Sequence, residues 1–183
     1  MAWWTNLHAI FVKMNIQGHI DKFSILSGRT SSFYTVIDKT VEKEQDVLLS
    51  LNRDQMLLGR NTDGDPFTPS YLDDPYFKTS EQAQAYANMK KALESIHRSR
   101  IENPINYPDK DSNTPNLIVT GPFQDSMFIQ SESDSFFIDS RYEDSGDIEN
   151  KYNGKVFGLA PLSMEFFYTY YLLEQLKIHL YEL

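Results

Sequence analysis

Residues 114–159 read TPNLIVTGPFQDSMFIQSESDSFFIDSRYEDSGDIENKYNGKVFGL. Leu117–Thr120 has the pattern of a strand, and Thr120-Gly121 that of a turn. The alternating runs Phe123–Gln130 and Phe136–Arg141 predict an antiparallel hairpin turning at Ser133-Asp134. Asp147–Tyr152 follows as a short helix stopped at Asn153-Gly154, and Phe157-Gly158-Leu159 closes the unit. This order predicts an α+β fold, a small and largely antiparallel sheet flanked by helices and long loops carrying aromatics and prolines. The unit holds no nucleophile–base pair and no metal-ligand cluster. Nor does it cradle phosphate, because Thr120-Gly121-Pro122 offers one Gly and then a residue without an N–H. Order without reactive chemistry points to a protein that works as a shape.

Outward from this unit, Pro161 suits a first helical turn and opens a helix to about Tyr181, with Phe166, Phe167, Tyr168, Tyr170 and Tyr171 along it. On the other side, Asn103-Pro104 to Thr114-Pro115 is a polar, Pro-containing connection. Thr79 followed by Gln82 is a capping-box signature and opens a helix through Ala83, Ala87 and Leu93 to about Arg98. Asn61–Tyr76 is a loop of prolines and turn residues. Val41, Leu48, Leu51, Gln55 and Leu58 share one face of a helix over 38–58, closed by Gly59. Phe23 and Ile25, then Phe33, Thr35 and Ile37, alternate about Ser27-Gly28 and predict a hairpin. Trp3, Trp4, Leu7, Ile10, Phe11 and Met14 predict a short amphipathic helix ended by Gly18. Two regions result: an N-terminal helix and hairpin extension over 1–37, and an α+β domain over 38–183.

Composition narrows the function classes. A chain of 183 residues is long enough for a sizeable core. Aromatics reach 14%, with 12 Phe and 11 Tyr, which favours packing and protein–protein contact. The formal net charge of -9, with cations scattered except at His97, Arg98 and Arg100, argues against a general duplex-binding surface. The absence of cysteine excludes disulfides and thiolate metal sites and fits a reducing cytoplasm. No signal-peptide pattern or membrane-length apolar run is read.

Each candidate for chemistry has a plainer explanation. Asn61, Asp63 and Asp65 around Gly64 lack the spacing and terminal Glu of a calcium loop and read as an Asp-Gly turn. Asp139, Glu143, Asp144, Asp147 and Glu149 are local to one turn and helix start, where carboxylates favour the helix dipole, rather than converging from separate strands as two-metal sites require. His8, His19, His97 and His179 are dispersed, without zinc-site spacing. The sequence therefore predicts no catalytic residue, no metal and no cofactor. Subunit contacts are the remaining use for the exposed aromatics. Trp3 and Trp4 are adjacent and cannot share a helix face, and Phe67, Tyr71, Tyr76 and Phe77 sit in a polar loop. These six are the interface candidates.

In order along the chain, Asn52, Gln55, Met56 and Gly59 are followed by Asp63, Gly64, Tyr71 and Lys78. Then come Leu117, Thr120, Gly121, Phe123 and Ser126, and finally Lys151, Tyr152, Phe157, Gly158 and Leu159. This succession resembles the tail-completion (virion-morphogenesis) proteins of tailed bacteriophages, including those of phages of gut Bacteroidetes, over residues 48–180. Departures are Pro122 after the Thr-Gly, Asn153 before Gly154, and an unmatched N-terminal segment. The resemblance implies a non-enzymatic structural protein of the virion neck, made in the host cytoplasm: a head–tail connector, collar or tail-completion subunit. It implies a homo-oligomeric ring against portal, connector or tail proteins, with no membrane, and leaves open passive contact with DNA in a lumen. The departures leave the neck layer open. Two other readings stand beside it, a non-virion interaction or assembly module and a metal-dependent hydrolase built on the acidic run.

Overall fold

The structure, a computed structural model, describes residues 30–181 apart from 99, 104, 119, 120, 133 and 134. The expected Trp3–Trp4 helix, Thr120 and the Ser133-Asp134 turn lie outside the described residues. Phe33, Ile37 and Val41, four apart, are all buried on one side of helix α1 (Thr30–Lys43). The arm of the expected hairpin over 33–37 is therefore helix, and its other arm and turn, Phe23, Ile25 and Ser27-Gly28, lie outside the described residues. Over five residues Phe33, Thr35 and Ile37 fit a period of two, but only the helical period carries the apolar face on to Val41. Thr40 Oγ1 donates back to the Val36 carbonyl at 2.7 Å, and at Glu44 the chain bends into α2 (Gln45–Leu57). The single helix expected over 38–58 is thus two helices.

Helix α2 is the centre of the molecule. Leu48, Leu49, Leu51, Met56 and Leu57 are buried along it, together with Asn52, Asp54 and Gln55. It ends as expected at Gly59, at φ 72°, where Gly59 N donates to Met56 O and Arg60 N to Gln55 O. This is the paired bonding of a Schellman stop. The following loop is pinned by a bridge between Arg60 and Pro66 and includes a cis Thr68-Pro69 peptide. Helix α3 (Ser80–Ala92) starts with the expected cap: Gln82 N donates to Thr79 Oγ1, and Gln82 Oε1 accepts from Lys78 N. A short α4 (Glu94–Arg98) follows.

The sheet is a two-stranded antiparallel hairpin, β1 (Met127–Glu132) with β2 (Ser135–Ser140), in the register Met127↔Ser140 and Ile129↔Ile138. Buried Met127 and Ile138 turn its inner face to the core. Two expectations about its approach are corrected. Phe123 belongs to one helical turn, α5 (Pro122–Asp125), whose first position Pro122 takes. Leu117 and Ile118 form no strand; Leu117 adopts a left-handed φ of 49°, incompatible with a ladder. Helix α6 (Ser145–Lys151) stops at Asn153 and Gly154, both at positive φ. The C-terminal helix opens at Pro161 as expected and runs as α7 (Pro161–Phe167), a π-helical turn (Tyr168–Leu172) and α8 (Leu173–Tyr181). Helix α7 packs on α2 and α8 on α1. The fold is α+β: helices around a small antiparallel sheet.

Gly121 stands at φ 109° immediately before α5, and an added Cβ would meet Arg100 Nη1 at 2.5 Å. The Arg100 tip can move; the backbone cannot. Gly121→Val is expected to cost on the order of 1–3 kcal/mol and lower the thermal midpoint by several degrees. An unchanged midpoint would show that the turn tolerates a side chain.

Candidate interface and the polar clamp beneath it

Successive residues of a helix point about 100° apart, so the run Asn52-Arg53-Asp54-Gln55 reaches in several directions at once. Asn52 Nδ2 donates to the carbonyls of Val156 (3.1 Å) and Gly158 (2.9 Å), while its Oδ1 accepts from Gly158 N at 3.3 Å. Gln55, on the same face, donates to Gly158 O at 2.6 Å and accepts from Ala160 N at 2.8 Å. Two carboxamides thus serve Val156–Ala160 as a neighbouring strand would. Gly158 sits at φ 129°, with Thr62 Cγ2 only 3.2 Å from where a Cβ would be. Arg53 Nε holds the Gln124 carbonyl at 2.8 Å. Asp54 accepts from Asn103 N (2.8 Å) and Asn103 Nδ2 (2.7 Å), and also from Glu102 N. Burial nevertheless pushes the Asp54 carboxyl above its ordinary range, against the pull of those donors.

The Leu117–Ile118 segment is held in the same way. Gln124 Nε2 donates to Leu117 O at 2.6 Å, and the Lys90 ammonium donates to Ile118 O. Lys90 is only 3% exposed, and burial lowers its pKa to about 8, with neighbouring Lys110 acting in the same direction. Asn52, Gln55, Tyr152, Phe157, Gly158 and Leu159, read in the sequence as separate motif elements, converge on this part of the core.

The interface candidates separate into two sets. Phe67 and Tyr71 are core residues, 2% and 5% exposed, and are withdrawn as contact residues. Phe67 packs on Tyr152 at 4.9 Å. The Tyr71 hydroxyl accepts from Asn116 N at 3.3 Å, and burial raises its pKa far above that of a free phenol. The loop folds back on its own protein because its rings outweigh its polar backbone, whose groups find partners such as Asn113 O for Tyr71 N. From Tyr71 a ladder of rings leads outward: Tyr71 to Tyr86 at 5.3 Å, Tyr86 to Phe77 at 5.2 Å, Phe77 to Tyr76 at 5.4 Å. Phe77 is half-buried and Tyr76 is 80% exposed. Buried Asp74 fixes this tip: it pairs with Lys151 of α6 and accepts from Tyr76 N at 3.0 Å. Met89, one turn from Tyr86 on α3, is also exposed. Trp3 and Trp4 lie outside the described residues.

The other candidates resolve as turns and solvated charge. Asn61 Oδ1 accepts from Asp63 N and Asp65 N, and Asp63 pairs with Lys155 at 2.7 Å. Asp139, Glu143, Asp144 and Asp147 are exposed and Glu149 half-buried. Among the described residues no group of three or more His, Asp or Glu could hold a metal, and no helix is long and apolar enough to cross a membrane. Sequence reasoning passed over Asp54, Lys90 and Arg60. The available signal was a run of four polar residues, Asn52 to Gln55, directly following the apolar Val47, Leu48, Leu49 and Leu51. No family model matches the chain, no curated protein matches it, and no solved structure matches it.

Two outcomes are expected. Asn52→Ala strands the Val156 and Gly158 groups in a dry interior, at about 1–3 kcal/mol each, so urea denaturation should show a loss of roughly 3 kcal/mol or more. The second concerns pH. Because the folded pKa of Lys90 is depressed, its penalty is full below about 8 and is relieved as pH rises toward the unfolded value of 10.5. Buried Tyr71 and Tyr152 oppose this near pH 10, where unfolded phenols ionise. Stability should therefore rise between pH 8 and just below 10, and Lys90→Met should flatten that slope. An identical slope in the variant would remove Lys90 as its source.

Proposed function

We propose that this protein is a structural subunit of the bacteriophage neck, a head–tail connector, collar or tail-completion component, with no catalytic role. The supporting observation is that residues from the two ends of the resemblance are joined in one hydrogen-bonded clamp. Asn52 and Gln55 from the early part of the pattern hold Gly158 from its end, with Asp74 and Lys151 tying the loop between. The device rigidly supports an exposed ring, Tyr76, and aromatic anchors on fixed backbone suit assembly contacts. Such subunits add to a ring templated by the portal stack, where modest contacts become effective through repetition.

Mass spectrometry of purified particles tests the reading directly: the protein is expected in stoichiometric amounts. Absence from particles with presence on assembly intermediates would instead make it an assembly module. The surface is tested by mutation. Tyr76→Ser should leave the thermal midpoint unchanged and sharply reduce incorporation, whereas Tyr71→Ser should lower the midpoint, because lost core packing costs roughly 3–5 kcal/mol of stability. Full incorporation of Tyr76→Ser would remove the loop tip from the contact.

A further inference from the structure

The C-terminal helix carries its buried side chains at an uneven spacing. On α7 the buried residues are Ser163 and Phe167, four apart. Beyond the π turn, Leu176 follows Leu172 by four, and half-buried Leu180 follows by four more. From Phe167 to Leu172 the step is five. An α-helix turns about 100° per residue, so five residues of it would place Leu172 roughly 140° away from Phe167. An unbroken α-helix would instead continue the stripe from Phe167 through Tyr171, Glu174, Gln175 and Ile178. That face would press Glu174 and Gln175 into the core, taking their polar groups out of water without partners. Both are exposed, and Ile178 is 44% exposed.

The π turn absorbs the difference. Leu173 N donates to Tyr168 O, five residues back, and Tyr170 on the outer side of the turn is 68% exposed. Phe167 stacks on Tyr171 at 5.7 Å, and Phe166 meets Tyr170 at 4.7 Å. Past the turn, Leu172 and Leu176 join the core, and the His179 ring meets Phe33 of α1 edge-on at 5.6 Å. Helix α7 lies on α2, whereas the π turn and α8 lie on α1. We propose that the π turn is a register device. Its one added residue rolls α8 by about 100°, so that α8 closes as a strap over α1 while α7 stays anchored on α2. The number of residues in this turn, rather than their identity, fastens α1 to the body.

Amide hydrogen exchange on three full-length variants tests this. Deleting Tyr170 removes the added residue; amides of α1 and α8 should then exchange at least about a hundredfold faster, while those of α2 keep their protection. Tyr170→Ala keeps the count and should leave α1 protected to within about threefold of the parent chain. Inserting Ala after Leu172 in the deletion chain restores the count one turn later, and should return α1 to within about tenfold of the parent. Unchanged α1 protection in the deletion chain overturns the proposal, because the turn would then set no register. So does a loss in Tyr170→Ala as large as in the deletion, since the ring and not the count would matter. If the deletion chain is too unstable to purify, recovery of folded protein on inserting Ala upholds the count, and no recovery overturns it.

Discussion

Backbone amides taken out of water must find partners, and in this protein side chains of three helices, α2, α3 and α5, supply many of them. Val156–Ala160, Glu102–Asn103 and Leu117–Ile118 are extended or irregular segments against the core. None of them is a strand of the sheet. Asn52 and Gln55 serve the first, Asp54 the second, Gln124 and Lys90 the third. Carboxamides suit this work because each offers donor and acceptor together, the same pair a neighbouring strand presents.

This arrangement explains how so small a sheet suffices. A lone hairpin is marginal in water, and β1–β2 survives because its inner face joins a core of helix residues, among them Leu48, Leu51 and Met56. Ser126 and Ser140 close its open end, with hydroxyls 2.7 Å apart and Ser140 donating to Phe123 O. The hairpin is an appendage to the helices rather than their platform. It is also polar at its join, which fixes register where two short strands could slip.

Charge divides by depth. Among the described residues the buried charges are held in two ways: Asp54 and Lys90 in separate hydrogen-bonded settings, and Asp74 in an ion pair with Lys151. Buried ions held this way add little net stability but penalise alternative packings heavily, since any rearrangement strands a charge.

Periodicity and punctuation made much of the secondary structure legible: the Thr79–Gln82 cap, the Gly59 stop, the hairpin, the short acidic helix and Pro161 opening the last helix were all readable from local residues. Each depends on interactions within a few positions of itself. Where two periods fitted, as at Phe33–Ile37, the sequence was ambiguous, and packing against α8 and the core settled it as helix. The aromatic loop shows the other limit. Nothing local distinguishes Phe67 and Tyr71, which are core, from Tyr76, which is surface; Tyr152 and Asn116, distant in sequence, make that difference. The sequence alone determined an α+β chain with weak signals for catalysis and strong ones for packing. Only the tertiary structure decided which polar residues are the frame and which of the rings in the 61–77 loop faces outward, because a hydrogen-bond partner a hundred residues away leaves no trace in local spacing.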